Sequence, residues 1–285
     1  MATCPLIEVE ELKAIYKNPE VLLFDVSHSK QASTNYANEH LDGAFFIDLN
    51  EQLAAIKSDP AHGGRHPLPS IQQFLATLSE VGITNKHHVV LYDEFNGSNA
   101  AARFWWMLKA IGHEKVQVLN GGFQQAKKCH FPINSTVVTI NKVSDSYTFN
   151  NTNWMLPTYS MSQVAARVQH PNYLVVDVRA KERYAGITEP IDLIAGHIPG
   201  ALNIPFTENL EPNGLFRSPS ALRATYASYF GNRKPANIVI HCGSGVTACH
   251  TLLALAYAGF EIPNLYVGSW SEWSRNNQPI GTTAR

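Results

Sequence analysis

The 285-residue chain carries one pattern twice, with matching residues about 150 positions apart, and that duplication constrains the fold more than any single motif. In the first copy residues 10–16 have helical spacing, Asn18-Pro19 breaks the helix, and Val21–Asp25 reads as a short buried strand. In the second copy residues 163–168 form the helix, His170-Pro171 is the break, and residues 173–177 are the strand. Ser160 and Gln163 fit a capping box at the start of that second helix. His40-Leu41-Asp42-Gly43-Ala44 then recurs as His197-Ile198-Pro199-Gly200-Ala201. Helical stretches at 71–81 and 219–230 come next, followed by apolar strands at 88–93 and 237–242. Helices at 100–111 and 248–258 precede a last pair of strands, which run into Gly121-Gly122 and Gly268-Ser269. Short apolar strands alternating with helices predict an α/β chain: two tandem domains, each a mostly parallel sheet flanked by helices. The boundaries expected are 1–133 for the first domain, 134–158 for a Ser-, Thr- and Asn-rich linker, and 159–285 for the second domain.

A net charge of -1 leaves no electrostatic footprint for nucleic acid or an anionic membrane. No apolar run approaches the roughly 20 residues of a membrane-spanning helix. Residues 1–16 carry Glu8, Glu10 and Glu11 and lack a secretory core, which predicts a cytoplasmic protein with the mitochondrion left open. The four cysteines, Cys4, Cys129, Cys242 and Cys249, have no metal-ligand spacing and are too sparse for a disulfide framework. No metal cluster, nucleotide-binding loop or organic cofactor motif is visible, so no cofactor is expected.

Chemistry concentrates in Asn237-Ile238-Val239-Ile240-His241-Cys242-Gly243-Ser244-Gly245-Val246-Thr247. A buried strand ends in a cysteine, two glycines let the backbone curl, and a helix begins. Loop N–H groups and a helix N-terminus then converge on the sulfur and stabilise negative charge there, which suits a nucleophile. A buried, inert core cysteine is the plain alternative, and the Gly-Ser-Gly turn directly after it argues against that. The matching position of the first copy is Asp93, followed by a longer loop, 94–99, without a thiol. The first domain is therefore read as lacking a catalytic cysteine and the second as catalytic.

These residues resemble the tandem-domain rhodanese family, and within it the 3-mercaptopyruvate sulfurtransferases, whose active loop reads Cys-Gly-Ser-Gly-Val-Thr as at Cys242 to Thr247. The resemblance extends to His197-Ile198-Pro199-Gly200-Ala201, to Gly268-Ser269-Trp270-Ser271-Glu272-Trp273 and to Arg103-Phe104-Trp105-Trp106-Met107-Leu108. It implies that Cys242 attacks the sulfur of the donor, pyruvate leaves, and a cysteine persulfide passes its sulfur to a thiol acceptor, a thioredoxin-like protein among the candidates. It implies catalytic roles for Ser244, as proton relay or hydrogen-bond donor, and for His66, which faces that serine. It implies donor contacts from Arg183, Gly243, Gly245, Val246 and Thr247; an arginine fork suits a carboxylate. Two departures stand out. The family's second arginine, after Glu-Pro, is missing: Glu189-Pro190 leads into Ile191-Asp192, with Arg179 and Lys181 the nearest substitutes. The acidic partner of the histidine falls nearest Asn50, with Asp48 two residues away.

Three rivals stay open on the residues alone. Thiosulfate could serve as donor through the same persulfide, although loops of that kind usually carry basic residues where Gly243 and Ser244 stand. A phosphatase-like reaction wants an arginine six positions beyond the cysteine, where this chain has Ala248. A sulfur-binding module without turnover is the third, favoured by the missing arginine and opposed by an intact Cys242 and Ser244.

Overall fold

The computed structural model describes residues 3–98, 100–138 and 147–283. Asn99 of the loop after Asp93, and residues 139–146 of the expected linker, lie outside the described residues. The chain divides into two compact units, Met1–Ala54 with Pro69–Met155, and Ala55–Leu68 with Leu156–Arg285.

In the first unit, β1 (Leu6–Ile7), β2 (Val21–Asp25), β3 (Phe45–Phe46), β4 (His88–Tyr92) and β5 (Val116–Leu119) make one sheet. Its strand order is β1-β5-β4-β2-β3, and every neighbouring pair is parallel. In the second unit the strands are β6 (Thr158–Tyr159), β7 (Leu174–Asp177), β8 (Leu202–Asn203), β9 (Ile238–His241) and β10 (Asn264–Tyr266). Their order is β6-β10-β9-β7-β8, again parallel throughout and the same permutation as in the first unit. The central strands are buried apart from the half-buried His88 at the start of β4, as expected of strands covered by helices on both faces. Residues 161–167 form the helix that starts at Ser160, whose Oγ accepts from the Gln163 N–H while the Gln163 side chain accepts from the Ser160 N–H.

The duplication reaches individual hydrogen bonds. His40 Nδ1 lies 2.6 Å from the Tyr36 carbonyl, its ring stacks on Tyr36, and the Tyr36 hydroxyl donates to the Ala44 carbonyl. In the second unit His197 Nδ1 lies 2.8 Å from the Tyr184 carbonyl, stacks on Tyr184, and Tyr184 donates to the Ala201 carbonyl. The two His-x-x-Gly-Ala motifs are thus the same structural clasp, not a catalytic histidine pair.

Each unit buries its own core. Leu12, Leu23, Val90, Tyr92, Leu119 and Phe131 cluster in the first; Val164, Val175, Ile198, Val239, Trp270 and Trp273 cluster in the second. Residues of the expected linker that are described pack on the first unit: Trp154 lies against Phe74 and Trp106, and the Tyr147 hydroxyl meets His113 Nδ1 at 3.1 Å. No helix among the described residues is long and apolar enough to cross a membrane.

Residues 55–68 depart from what the repeat alone predicts. They lie inside the first copy by sequence but pack within the second unit. The Gly63 N–H donates to Glu272 Oε1, the Arg65 N–H to Ser271 Oγ, and Asn276 Nδ2 to the Ala61 carbonyl. The turn beginning at Gly268 therefore holds the segment that carries His66.

Candidate active site

β9 ends in His241, which is fully buried 3.9 Å from Asp177 Oδ2. Burial lowers the His241 pKa more than the Asp177 charge raises it, so the imidazole is neutral at physiological pH. Cys242 follows and is only 3% exposed. Its carbonyl accepts from the Trp270 N–H at 3.0 Å, and the Gly243 carbonyl accepts from the Ser271 N–H at 2.9 Å. Gly245 has φ +72°, and a Cβ there would sit 2.5 Å from the Val267 carbonyl oxygen, so no other residue fits the turn. Val246 precedes the first turn of the helix Thr247–Tyr257, and that turn opens with Thr247. Cys249 is buried within the helix, with Sγ 3.4 Å from the Gly245 carbonyl. All four cysteines are free thiols.

The first unit has the same frame with different contents. The Phe123 N–H donates to the Asp93 carbonyl at 3.0 Å, as Trp270 does to Cys242. The Asp93 carboxylate accepts from the N–H groups of Phe95, Gly97 and Ala101. Burial raises its pKa to about 6 against the lowering effect of those donors. The loop of the first copy thus wraps its amides around its own carboxylate, at the position where the second copy presents a sulfur.

Ser269 was not singled out from the sequence, and it holds the backbone of Cys242. Its Oγ accepts the Cys242 N–H at 3.2 Å and donates to the Tyr266 carbonyl at 2.8 Å. It does so from a left-handed backbone, φ +54°, where the first copy has Gly122 at φ +58°. A serine in that region costs on the order of 1 kcal/mol, which its two buried hydrogen bonds offset. Ser269→Ala keeps the strain and orphans a buried N–H, so it is expected to lower stability by about 1–3 kcal/mol and to slow turnover. Ser269→Gly is expected to lose less, by about 1 kcal/mol, because it relaxes φ. Urea unfolding of the two variants measures the difference; equal losses would remove strain from this account.

The structure brings His66 and Ser244 together, with Nδ1 2.8 Å from Oγ. Ser244 itself is buried in the loop beside Cys242. Asp48 caps the helix Leu49–Gln52, accepting from the N–H groups of Asn50 and Glu51, and so has a local structural job.

Arginines crowd the same loop. Arg179 is engaged along its whole guanidinium: Nε and Nη2 on Asp177, Nη1 on Glu189, Nη2 also on the Gly196 carbonyl, and its face on Trp270. Lys181 is 73% exposed and reaches Glu208 at 3.8 Å. Neither is placed to substitute for a second donor-binding arginine. Arg183 pairs Nε and Nη2 with Glu189, and Nη2 also with Asp192 at 3.4 Å. Asp192 is the hub: its carboxylate, fully shielded from solvent, also takes Nη1 of Arg65 and Nη1 of Arg275. Arg65, Asp192 and Arg275 carry no motif, and the packing of residues 55–68 into this unit brings Arg65 to the other two. Four guanidiniums face three carboxylates around the loop, leaving one positive charge in excess. Ile191, at the place of the missing arginine, is 55% exposed.

Comparison with known proteins agrees with this geometry. The family model described as "Rhodanese-like domain" matches twice, at residues 8–129 and 160–276. The chain is 34% identical to a probable 3-mercaptopyruvate sulfurtransferase of Pseudomonas aeruginosa, over 99% of both chains. It is also 34% identical to the thiosulfate sulfurtransferase of Rattus norvegicus, over 95% of this chain and 90% of that one. Among solved structures, the 3-mercaptopyruvate sulfurtransferase from Leishmania major superposes with a TM-score of 0.82 at 28% identity, covering 96% of this chain and 75% of that one. With both copies matched and the sheet order repeated strand for strand, the chain belongs to the rhodanese family as a tandem pair of its domains.

Proposed function

We propose that the chain is a sulfurtransferase that takes sulfur from 3-mercaptopyruvate onto Cys242, releases pyruvate and passes the sulfur to a thiol acceptor. The observation that carries this is the hydrogen bond between Ser244 Oγ and His66 Nδ1, directly beside the nucleophile. The Cys242 thiolate attacks the donor sulfur, and an S–S bond forms as the carbon–sulfur bond breaks. The electron pair of the broken bond leaves as the pyruvate enolate. Ser244 delivers a proton to that carbon and His66 replenishes it, giving pyruvate and a Cys242 persulfide. In this reading the N–H groups of the Gly243–Thr247 turn stabilise the charge of the persulfide. An acceptor thiolate then attacks the outer sulfur, carries it off as a persulfide and restores the Cys242 thiolate. A thioredoxin-like protein in a reducing cytoplasm suits this last step, since it presents an exposed thiolate.

Thiosulfate is the second reading, favoured by the excess arginine charge around the loop and by the equal identity to the rat enzyme. Intact-mass measurement after incubation with each donor alone tests both. The expected result is a gain of one sulfur atom from 3-mercaptopyruvate, lost on adding a thiol. Faster loading from thiosulfate would replace the first reading by the second, and no gain from either would leave a binding module.

A further inference from the structure

We infer that Arg65 is the second arm of the donor clamp, and that it works with Arg183 across Gly243. This rests on the sulfurtransferase reading and names residues that set its substrate specificity. A methyl group built on Gly243 would lie 3.1 Å from Arg65 Nη2, and 3.5 and 3.7 Å from the Nη2 and Nη1 of Arg183. Two guanidiniums therefore flank the residue next to the nucleophile. Each is half engaged. Arg65 gives Nη1 to Asp192, and Arg183 gives its Nε and Nη2 edge to Glu189 and Asp192. Arg65 Nη2 and Arg183 Nη1 have no partner among the described residues, although both side chains are largely buried. Donors held on fixed stems near a nucleophile and lacking a partner are what a small anion needs. Their placement suits the carboxylate and ketone oxygens of a 2-keto acid, with the donor sulfur turned to Cys242.

The same geometry accounts for the uncharged loop. A lysine or arginine at position 243 would bring a third cation into contact with two that are already there, at a cost that no nearby carboxylate offsets, because Asp192 and Glu189 are already shared. The positive charge stands on Arg65, in the segment that carries His66, and not in the loop. Asp192, bonded to Arg65, Arg183 and Arg275 at once, is the positioning residue that fixes the clamp's width.

Arg65→Gln removes the charge and the second arm, its shorter amide ending short of Asp192, which keeps Arg183 and Arg275. In steady-state kinetics with a saturating thiol acceptor, it is expected to raise KM for 3-mercaptopyruvate about ten- to hundredfold while kcat changes less than about threefold. The inhibition constant of pyruvate, which has the same carboxylate and ketone but no sulfur, is expected to rise in parallel. Loading from polysulfide, which has neither group, is expected to suffer at least about tenfold less. Gly243→Ala presses a methyl into the clamp without touching its ion pairs and is expected to raise the same two constants, which covers the case of an Arg65 variant that folds poorly. Unchanged KM and pyruvate inhibition in both variants would overturn the inference, as would equal losses on every donor. A wild-type protein that does not load from 3-mercaptopyruvate at all would instead refute the donor reading, and the clamp with it.

Discussion

Cys242→Ser is expected to load no sulfur from any donor and to lose roughly 10⁴-fold or more in turnover while unfolding at the wild-type midpoint. The fold half follows from the surroundings of residue 242. Its anchors are backbone groups, an N–H that donates to Ser269 Oγ and a carbonyl that accepts from the Trp270 N–H, and a serine keeps both. The chemical half follows from the atom. A serine hydroxyl is hardly ionised at neutral pH and is a far weaker nucleophile than a thiolate, and backbone donors cannot make up so large a difference. The control is the other three thiols. Cys4 is exposed and Cys129 half-buried, and Cys249 gives a weak contact to the Gly245 carbonyl that a hydroxyl can replace. Serine at each should leave most of the activity. Intact mass after donor treatment reads the outcome directly. A sulfur adduct on the Cys242→Ser protein would move the nucleophile to another thiol, and an inactive Cys249→Ser with a normal melt would give the second thiol a chemical part.

The two mostly parallel α/β domains were legible because a duplication doubles every weak signal, whereas the order of the strands within each sheet was not. Val21–Asp25 and the strand before Asp177 support each other, and the shared His-x-x-Gly-Ala clasp fixes the alignment between them. Cys242 and Ser244 were readable because the loop is contiguous: strand end, glycines and helix start lie within a dozen residues. Arg65 and Asp192 were not. They lie far apart in sequence, neither sits in a periodic element, and their meeting depends on residues 55–68 packing in the second unit. Hydropathy carries no record of that packing, since these contacts of the segment are polar: the Gly63 and Arg65 N–H groups donate to Glu272 and Ser271, Asn276 donates to the Ala61 carbonyl, Arg65 pairs with Asp192 and His66 meets Ser244. Ser269 escaped for another reason. The first copy has Gly122 at the matching turn, and only coordinates show that the serine adopts the glycine's backbone in order to bind Cys242. Arg179 is tied to Asp177 and Glu189 and Lys181 is exposed, so neither is free to stand in for an arginine at Ile191.

The second large effect concerns the Ser244–His66 pair, 2.8 Å apart. Ser244→Ala and His66→Ala are each expected to slow sulfur loading from 3-mercaptopyruvate about 10²- to 10³-fold, the range of a positioned proton donor. The double variant is expected to be no slower than the worse of the two singles, because both residues serve one proton path and removing either end breaks it. A structural role makes the opposite demands. If Ser244 and His66 merely pack the loop, their losses add, and they fall equally on both halves of the cycle. The halves separate cleanly when cyanide is the acceptor. Loading must protonate the carbon that loses sulfur, whereas discharge moves the outer persulfide sulfur to cyanide and returns the thiolate without a proton donor. Single-turnover measurement on preloaded protein should therefore find discharge within about threefold of wild type in both variants, while loading is slow. Discharge slowed as much as loading would show that the pair shapes the loop, and would leave the enolate to take its proton from water.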